Sequence, residues 1–276
     1  EGTFGIATAV AVRLTPNPPA VQTMLVDFAR VEDAAAAVSA VIAAGVVPAA
    51  LEMMDARITQ AVEDFVHAGF PTDAAAVLLV EVDGLPGGVA VEAALVADVV
   101  RAHGARTVRV AADEAERALL WKGRKTAFGA VARILPNYYL HDTVVPRSRL
   151  VDVLTEIYAI AGRHDLLVMN AFHAGDGNLH PLLVFDARVP GTMERVHTAG
   201  EEIVAASLAA GGVLSGEHGI GLEKRDLMPL LFGPDDLDAQ ARLRDAFDPS
   251  GRANPDKVLP RGSRCGELAR VPEGAW

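Results

Sequence analysis

The sequence predicts an α+β fold in which helices cover one face of a largely antiparallel sheet. Two β-α-β units of similar length follow one another along the chain, and this order carries the prediction. Hydrophobic residues make up 51% of the 276 positions, which is enough to fill a sizeable core. We therefore expect a folded protein and exclude disorder as its main state.

The first β-α-β unit is marked by apolar runs that end at glycine or proline. The predicted elements before and within it are a strand at 2–14, a linker at 15–20, a strand at 24–28, a helix at 32–44 and a strand at 46–53. Gly45 directly follows the helix and is the residue type that commonly ends one. The linker begins just before Pro16, which disfavours continuation of the first strand.

The second unit follows after a connecting helix at 57–67. Its predicted elements are a strand at 77–82, a helix at 89–103 and a strand at 107–110. Asp113 with Glu116 three residues later forms a capping-box pattern, which starts a long helix. The remaining predictions are a helix from Pro146, strands at 166–172 and 182–185, helices at 193–210 and 237–246, and a loosely attached tail at 261–276.

Charge and cysteine content limit the functional classes. Lys and Arg number 25 against 36 Asp and Glu, so the net charge of −11 repels nucleic acid. Cys265 is the single cysteine and has no internal disulfide partner, which favours a reduced, cytoplasmic setting. We see no membrane span or targeting signal. Because the chain starts at Glu1 without methionine, we expect a piece of a longer protein.

A first glycine-rich segment, 172–180, lies between two apolar strands. Its Gly-Asp-Gly sequence is a turn signal, so the strands should form a hairpin. His173 and His180 flank the turn and can point to the same side. Two imidazoles on one side of a tight turn would form half of a metal site. The alternative is a pair of surface histidines beside an ordinary turn.

A second glycine-rich segment, 211–221, has five glycines in eleven positions, which permits close approach of a ligand or backbone. Glu217 and His218 are neighbours within it, and on an extended chain their side chains would point in opposite directions. One could bind a metal while the other faces a substrate only if the glycines bend the backbone. A flexible loop with two polar residues is the alternative.

Arg124 lies on an apolar stripe of the predicted long helix, together with Leu120, Phe128 and Val131. A guanidinium in such a place needs a partner or must reach water. A small substrate carboxylate would suit its planar donors. A structural ion pair with an acid of the same chain is the second interpretation.

Taken together, several segments resemble the C-terminal half of FAD-linked oxidases of the vanillyl-alcohol oxidase superfamily. The segments that carry the resemblance are 1–6, 120–128, 136–139, 172–181, 215–221, 247–251 and 254–257. Within the superfamily the chain is most similar to the D subunits of bacterial glycolate oxidases. That narrower similarity rests on 137–139, 172–175 and the Arg264-Cys265 pair.

The resemblance implies a ferredoxin-like substrate (cap) domain followed by a mainly helical C-terminal segment. We therefore divide the chain into a terminal remnant of the FAD-binding domain at 1–16, the cap domain at 17–247, and a flavin-returning segment with its tail at 248–276. Most of the FAD would be bound by an N-terminal domain that this sequence lacks.

The resemblance also assigns roles to single residues. His173, His180 and Glu217 would bind a divalent metal, zinc or manganese, and His218 would be the catalytic base. Arg124 would bind the substrate carboxylate. The residues next to the flavin would be Gly2, Gly5, Ile6 and Asn254.

A departure from the family pattern bears on the substrate. Relatives that oxidise dicarboxylic D-2-hydroxy acids have threonine and lysine where Phe128 and Leu140 stand here. This favours a short monocarboxylate, glycolate first and D-lactate second. A hypothesis of another class is a stand-alone metal-binding or assembly module without catalysis.

The resemblance further implies partners. They would be the FAD-binding and iron–sulfur subunits of a glycolate oxidase, through which a cytoplasmic protein could associate with a membrane. We also expect that the exposed cap face could support a homodimer.

Overall fold

The computed structural model describes residues 1–260, which pack as two compact units. The cap unit is Pro16–Gly212, and the terminal unit combines Glu1–Thr15 with residues 213–260. The cap was expected to reach residue 247, but the cap unit ends at Gly212, shortly after the last helix that packs on the sheet. The predicted tail, including Arg264 and Cys265, lies outside the described residues.

The first half of the cap unit is a four-stranded antiparallel sheet with two crossover helices. Its elements are β1 (Ala20–Phe28), α1 (Val31–Ala43), β2 (Ala50–Asp55), α2 (Ala56–Val66), β3 (Ala76–Gly84), α3 (Pro86–Ala102) and β4 (Ala105–Val110). The strand order is β4-β1-β3-β2, and each neighbouring pair is antiparallel. This is the ferredoxin-like arrangement, and the expected α+β fold is confirmed.

The second half of the cap unit extends this sheet beyond β2. Its elements are α4 (Glu114–Lys125), α5 (Ala127–Val131), β5 (Asn137–Leu140), β6 (Thr143–Val144), α6 (Leu150–Arg163), β7 (Leu167–His173), β8 (Asn178–Leu179), β9 (Pro181–Phe185) and α7 (Thr192–Ala209). Strand β7 pairs with β2 on one edge and with β9 over Leu167–Asn170. The expected hairpin is therefore present. Strands β5 and β6 were not predicted, because four and two residues are too few to show alternation.

Helices cover both faces of the sheet, whereas the sequence predicted helices on one face. The larger hydrophobic cluster joins one face to α1, α3, α6 and α7, and a smaller cluster joins the other face to α2, α4 and α5. The physical reason is visible in β3, where Ala76–Val82 is buried at every position. A strand covered on both faces is a continuous apolar run and does not alternate.

The predicted long helix from Asp113 is two helices that meet at Thr126. The Asp113 side chain accepts a hydrogen bond from the Glu116 amide, 2.9 Å, so the predicted cap is confirmed. The Thr126 hydroxyl donates to the Lys122 carbonyl, 2.8 Å, at the point where α4 ends. A hydroxyl that bonds to the carbonyl one turn back is a known cause of helix bending.

Among the described residues of the terminal unit, the longest helix is α8 (Pro234–Phe247), and a 3-10 helix, Arg225–Leu230, precedes it. The strand predicted at 2–14 is absent, because that stretch forms no ladder with any strand among residues 1–260. Its alternating apolar residues are exposed, with Ile6 88% and Leu14 87% accessible. The pattern predicted a strand, but a strand also needs a neighbour with which to pair.

Between residues 1 and 260, no helix has both the length and the apolar character that a bilayer span requires.

Candidate metal and substrate site

The hairpin between β7 and β9 is shaped by a tight turn at Gly177. A short 3-10 helix, Ala174–Asp176, leads into Gly177, whose φ of 72° is in the left-handed region. A β-carbon at that position would lie 2.2 Å from the carbonyl oxygen of Val145. Only glycine fits this backbone and this space. The turn therefore returns the chain closely beside the end of β7.

This turn places two imidazoles against each other. The rings of His173 and His180 meet edge to face, with an interplanar angle of 87° and centroids 5.4 Å apart. His180 is 2% exposed, while the side chain of His173 is 36% exposed. The predicted placement of both rings on one side of the hairpin is confirmed. Their role as metal ligands stays a prediction.

Behind His180 lies a buried acid that the sequence did not single out. Asp142 is fully buried, and its Oδ1 is 3.6 Å from Nε2 of His180. It lies in the short segment between β5 and β6, which runs along β9 and β8. His180 therefore sits in an acidic environment, which is electrostatically suited to a bound cation.

On the other side, Glu52 of β2 joins His173 to Arg124. The Oε1 atom of Glu52 lies 2.8 Å from Nδ1 of His173. Its Oε2 accepts hydrogen bonds from Nε of Arg124, 3.1 Å, and from Nη2, 2.8 Å. Glu52 and Arg124 are each 7% exposed. One buried carboxylate thus contacts two of the predicted site residues.

The structure therefore bears out the second interpretation of Arg124, an ion pair with an acid of the same chain. Within residues 1–260, the Nη1 nitrogen of Arg124 donates no hydrogen bond, so it could still serve a ligand carboxylate. The neighbouring Gly123 lets α4 approach closely, since a β-carbon there would lie 2.5 Å from the ring of Phe70. Substrate binding by Arg124 stays a prediction.

Helix α4 meets the sheet through a second buried glutamate, Glu81 of β3. Its carboxylate accepts hydrogen bonds from Arg117, Trp121 and Thr23 at 2.5–2.8 Å. Burial alone would raise the pKa of Glu81. Hydrogen bonds from Arg117, Thr23 and Trp121 outweigh burial and hold the pKa of that carboxyl below its ordinary value. The contacts of Arg117 and Trp121 join α4 to β3, whereas Arg124 has its own partner in Glu52.

The second glycine-rich segment belongs to the terminal unit from Val213 onward, while its first two glycines end the cap unit. The Ser215 hydroxyl accepts a hydrogen bond from the Gly219 amide, 2.8 Å. The amides of Ile220 and Gly221 donate to the carboxylate of Glu1 at 2.7 and 2.6 Å. The segment is therefore held by specific hydrogen bonds within its own unit.

Glu217 and His218 lie within that segment. Nε2 of His218 is 3.8 Å from Oε1 of Glu217, and their side chains are 42% and 52% exposed. Both are therefore accessible to solvent or to a ligand. Their roles as metal ligand and base stay predictions.

Two of the predicted flavin-contacting residues come together in the terminal unit. A β-carbon on Gly2 would lie 3.8 Å from the side chain of Asn254, whose Nδ2 donates to the Glu1 carbonyl, 2.7 Å. Arg244 of α8 donates to the carbonyls of Ala253 and Asn254 and so holds this turn. Asn254 has a φ of 45°, a conformation that asparagine tolerates better than most residues.

The other two predicted flavin-contacting residues, Gly5 and Ile6, are exposed on the extended segment. Asp256 has a φ of 62°, a left-handed conformation that residues other than glycine rarely adopt. Contact of any of these residues with flavin stays a prediction.

Glu52, like Asp142, contacts a predicted site residue but was missed by the sequence reasoning. It interrupts the apolar run Ala-Leu-Glu-Met-Met of β2. A carboxylate inside a buried strand needs a charged or hydrogen-bonding partner, so its position was a usable signal. The identity of its partners was not readable, because they lie far away in the sequence.

The chain matches the family described as FAD linked oxidases, C-terminal domain, over residues 17–258. It is 46% identical over 271 residues to "Glycolate oxidase subunit GlcD" of Escherichia coli K12, covering 98% of this chain and 54% of the relative. The Bacillus subtilis protein of the same name is 37% identical, with 96% and 56% covered. "Probable D-lactate dehydrogenase, mitochondrial" of Danio rerio is 31% identical, with 94% and 52% covered.

Two solved structures share the fold. A 4-ethylphenol oxidase from Gulosibacter chungangensis matches with a TM-score of 0.69 at 17% identity, over 91% of this chain and 56% of that one. p-Cresol methylhydroxylase matches with a TM-score of 0.70 at 14% identity, over 89% and 54%. At these identities the likeness concerns the fold alone.

The chain spans about half the length of the curated relatives it matches. The family match covers most of the described residues, and the relatives cover nearly the whole chain. The predicted resemblance is confirmed: the chain belongs to the family of FAD linked oxidases and carries their C-terminal domain.

Proposed function

We propose that the chain is the substrate-domain portion of a flavin-dependent oxidoreductase. The reaction is oxidation of a small D-2-hydroxy acid, glycolate first, to the 2-oxo acid. The observation that carries this proposal is the cluster in the cap unit, where Glu52 contacts both His173 and Arg124 and where His173 meets His180. Metal-binding groups and a carboxylate-binding group are thereby held side by side.

The donor set suits a divalent metal. Two imidazoles lie against each other, one buried and one partly exposed, and an acidic group stands behind the buried one. Imidazole ligands suit zinc, and manganese remains the second choice on grounds of ligand chemistry. When bound by His173 and His180, with Glu217 as the third ligand by resemblance, a divalent metal would lower the pKa of a coordinated hydroxyl.

Arg124 would hold the substrate by its carboxylate. Its Nε and Nη2 are committed to Glu52, and Nη1 is left to donate. A charge-assisted hydrogen bond from a fixed guanidinium orients a small acid as well as binding it. The α-carbon of the substrate would then have one orientation in the site.

The proton and the hydride go to different acceptors. His218 would accept the proton of the substrate hydroxyl as the general base. FAD, when bound by the rest of the enzyme, supplies the acceptor for the α-hydride. Gly2, Gly5, Ile6 and Asn254 are proposed to contact the flavin from this chain.

The substrate would be a monocarboxylate. Phe128 stacks on Tyr138 with centroids 6.3 Å apart, and Phe128 and Leu140 both pack against the smaller hydrophobic cluster. Neither side chain can offer a charge to a second carboxylate. Burying an unpaired carboxylate beside them would cost several kcal/mol or more.

D-lactate is the alternative substrate. Several relatives bear the name D-lactate dehydrogenase, among them the Danio rerio protein at 31% identity. Glycolate and D-lactate differ by one methyl group, which is worth only about 0.8 kcal/mol of burial. Direct comparison of the two acids is therefore needed.

The relatives' name, a glycolate oxidase subunit, supports further subunits as partners. We propose FAD-binding and iron–sulfur subunits as those partners. We also propose a cytoplasmic location, with membrane association through the partner subunits. We further propose a homodimer through the exposed cap face.

The test is dye reduction by the full-length flavoprotein that contains this chain. Glycolate and D-lactate should be oxidised, whereas L-lactate and D-2-hydroxyglutarate should not. Arg124→Met should lower kcat/KM for glycolate and D-lactate alike, by roughly 10- to 150-fold, because a hydrogen bond to a charged group is lost.

The matched control is Arg117→Met, which breaks the other Arg–Glu pair of α4, in which the glutamate is buried and the arginine is partly exposed. It should reduce stability but leave kcat/KM nearly unchanged. If the parent and Arg124→Met have equal kcat/KM values, Arg124 has a purely structural role. Absence of turnover of every 2-hydroxy acid would refute the proposed function.

A further inference from the structure

Glu52 is a buried carboxylate whose two oxygens are committed to different residues of the proposed site. Oε1 faces Nδ1 of His173 at 2.8 Å, and Oε2 accepts both hydrogen bonds from Arg124. With 7% of its surface exposed, Glu52 is nearly shielded from water. A carboxylate in that setting must be paired to be tolerated.

The strand register makes this contact unavoidable. Glu52 of β2 is directly opposite His173 of β7 in the antiparallel ladder, so both side chains project from the same face. That face is the one covered by α4, from which Arg124 reaches down. The geometry is therefore set by the sheet and the helix and does not depend on a loop.

We propose that Glu52 is a positioning residue that fixes His173 and Arg124 together. Oε2 of Glu52 already accepts two hydrogen bonds from the Arg124 guanidinium, and Oε1 is offered to His173 as an acceptor. Nδ1 of His173 must then carry the proton. The lone pair is thereby placed on Nε2, the atom that could bind a metal.

This inference deepens the proposed function and rests on it for the link to catalysis. Histidines that bind metals usually donate their other ring N–H to a carboxylate or carbonyl, and loss of that partner weakens metal binding 10- to 100-fold. Glu52 would do this for His173 and hold the substrate-binding Arg124 with its other oxygen. One side chain would thus align both functions.

Glutamine cannot replace Glu52 in this role. Its side chain has one acceptor oxygen and one NH2 group, so it can satisfy His173 or Arg124 but not both. In Glu52→Gln, either the NH2 group faces His173, so that Nδ1 no longer has an acceptor for its proton, or the NH2 group faces the guanidinium, so that two donors oppose each other. Glu81→Gln is the matched control, because Glu81 is also a buried partner of an arginine on α4 but does not contact a histidine.

The first measurement needs no substitution at Glu52. Long-range ¹H–¹⁵N spectra of the ¹⁵N-labelled chain, free of metal, should be recorded at pH 8.5, where ordinary imidazole is neutral. His173→Ala identifies the signals of His173. We expect the Nδ1–H form. A dominant Nε2–H form in the folded parent would overturn the proposal, whether or not the chain binds metal.

The second measurement compares Zn²⁺ affinity among folded variants. Glu52→Gln should bind Zn²⁺ 10- to 100-fold more weakly than the parent, while Glu81→Gln should match the parent. Equal affinity of Glu52→Gln and the parent would refute the positioning role. If the parent binds no Zn²⁺, the proposed metal site fails, and the protonation pattern of His173 still decides the role of Glu52.

Discussion

The imidazole of His173 meets that of His180 edge to face across a glycine turn, with ring centroids 5.4 Å apart. The backbone of β7 and the Gly177 turn hold both rings before any ligand arrives. A site that is already assembled loses less conformational entropy when it binds its ligand. Binding of a metal should therefore require little rearrangement of this hairpin.

The first prediction is that the chain binds zinc or manganese and that His173→Ala abolishes tight binding. Two imidazole ligands lie on one hairpin, and loss of one leaves too few donors for a stable site. Metal analysis after dialysis against zinc or manganese would measure this. His103→Ala, at an exposed histidine on α3's end, should keep the parent's metal content. If the parent holds no metal above background, the assignment is wrong.

Glu217 is tested by the same method. If it is the third ligand, Glu217→Ala should weaken Zn²⁺ binding, since an open catalytic zinc site has three protein ligands. If Glu217→Ala binds Zn²⁺ as tightly as the parent does, Glu217 is not a ligand. The assignment of the two histidines would not be affected.

Gly177→Ala should destabilise the cap unit by about 2–4 kcal/mol, through left-handed backbone strain and overpacking against Val145. Gly191→Ala is the matched control, because Gly191 has a φ of 78° but open space around its α-carbon. It should cost only about 1–2 kcal/mol. Urea unfolding of both variants measures the difference. Equal losses would show that the Val145 contact does not constrain the turn.

The pH dependence of stability should reveal Glu81. Because its pKa is lowered in the folded state, Glu81 contributes stability above its ordinary pKa of 4.5, and this contribution is lost as the pH falls through the folded-state pKa. Glu81→Gln should therefore cost about 1.5–3 kcal/mol near neutral pH. Its difference from the parent should shrink below pH 4.5.

The control for this measurement is Glu114→Gln, which removes an exposed partner of the same Arg117. Its effect should be small at every pH, because exposed ion pairs contribute little. A difference between Glu81→Gln and the parent that does not change with pH would contradict the assigned pKa shift.

The chain alone should neither hold FAD tightly nor oxidise a hydroxy acid. Only Gly2, Gly5, Ile6 and Asn254 are proposed to contact the flavin, and so few contacts cannot offset the entropy lost in fixing a large ligand. Purified protein mixed with FAD and then desalted should show no flavin absorbance. A yellow preparation with one flavin per chain would overturn the proposed location of the cofactor domain.

The elements predicted best were those with strong local signals. Apolar spacing and Gly104 predicted α3 and its end closely, and the Asp113 pattern predicted the start of α4. The strand at 2–14 was wrong because alternation reports side-chain pattern but not the presence of a pairing strand. The cover on both sheet faces was missed although β3 begins with the unbroken apolar run Ala76–Val80.

The candidate site was predicted in part for the same reason. His173 and His180 are joined by a local turn, so sequence spacing was sufficient to bring them together. The contact of Glu52 with Arg124 joins residues that are 72 positions apart, and it depends on the placement of α4 over the sheet. No local pattern encodes such a contact.

The pairing of β2 with its two neighbours is unequal, and this has a consequence for how the cap unit opens. Strand β2 pairs with β3 over six residues but with β7 over only Glu52–Met54. Transient loss of these three residue pairs would break the sheet pairing between the histidine hairpin and the ferredoxin-like sheet while leaving the pairing within that sheet intact. Amides of β7 should then exchange with solvent through a partial opening that β1 and β3 do not share. A metal bound by the hairpin would suppress this partial opening before it affected global unfolding.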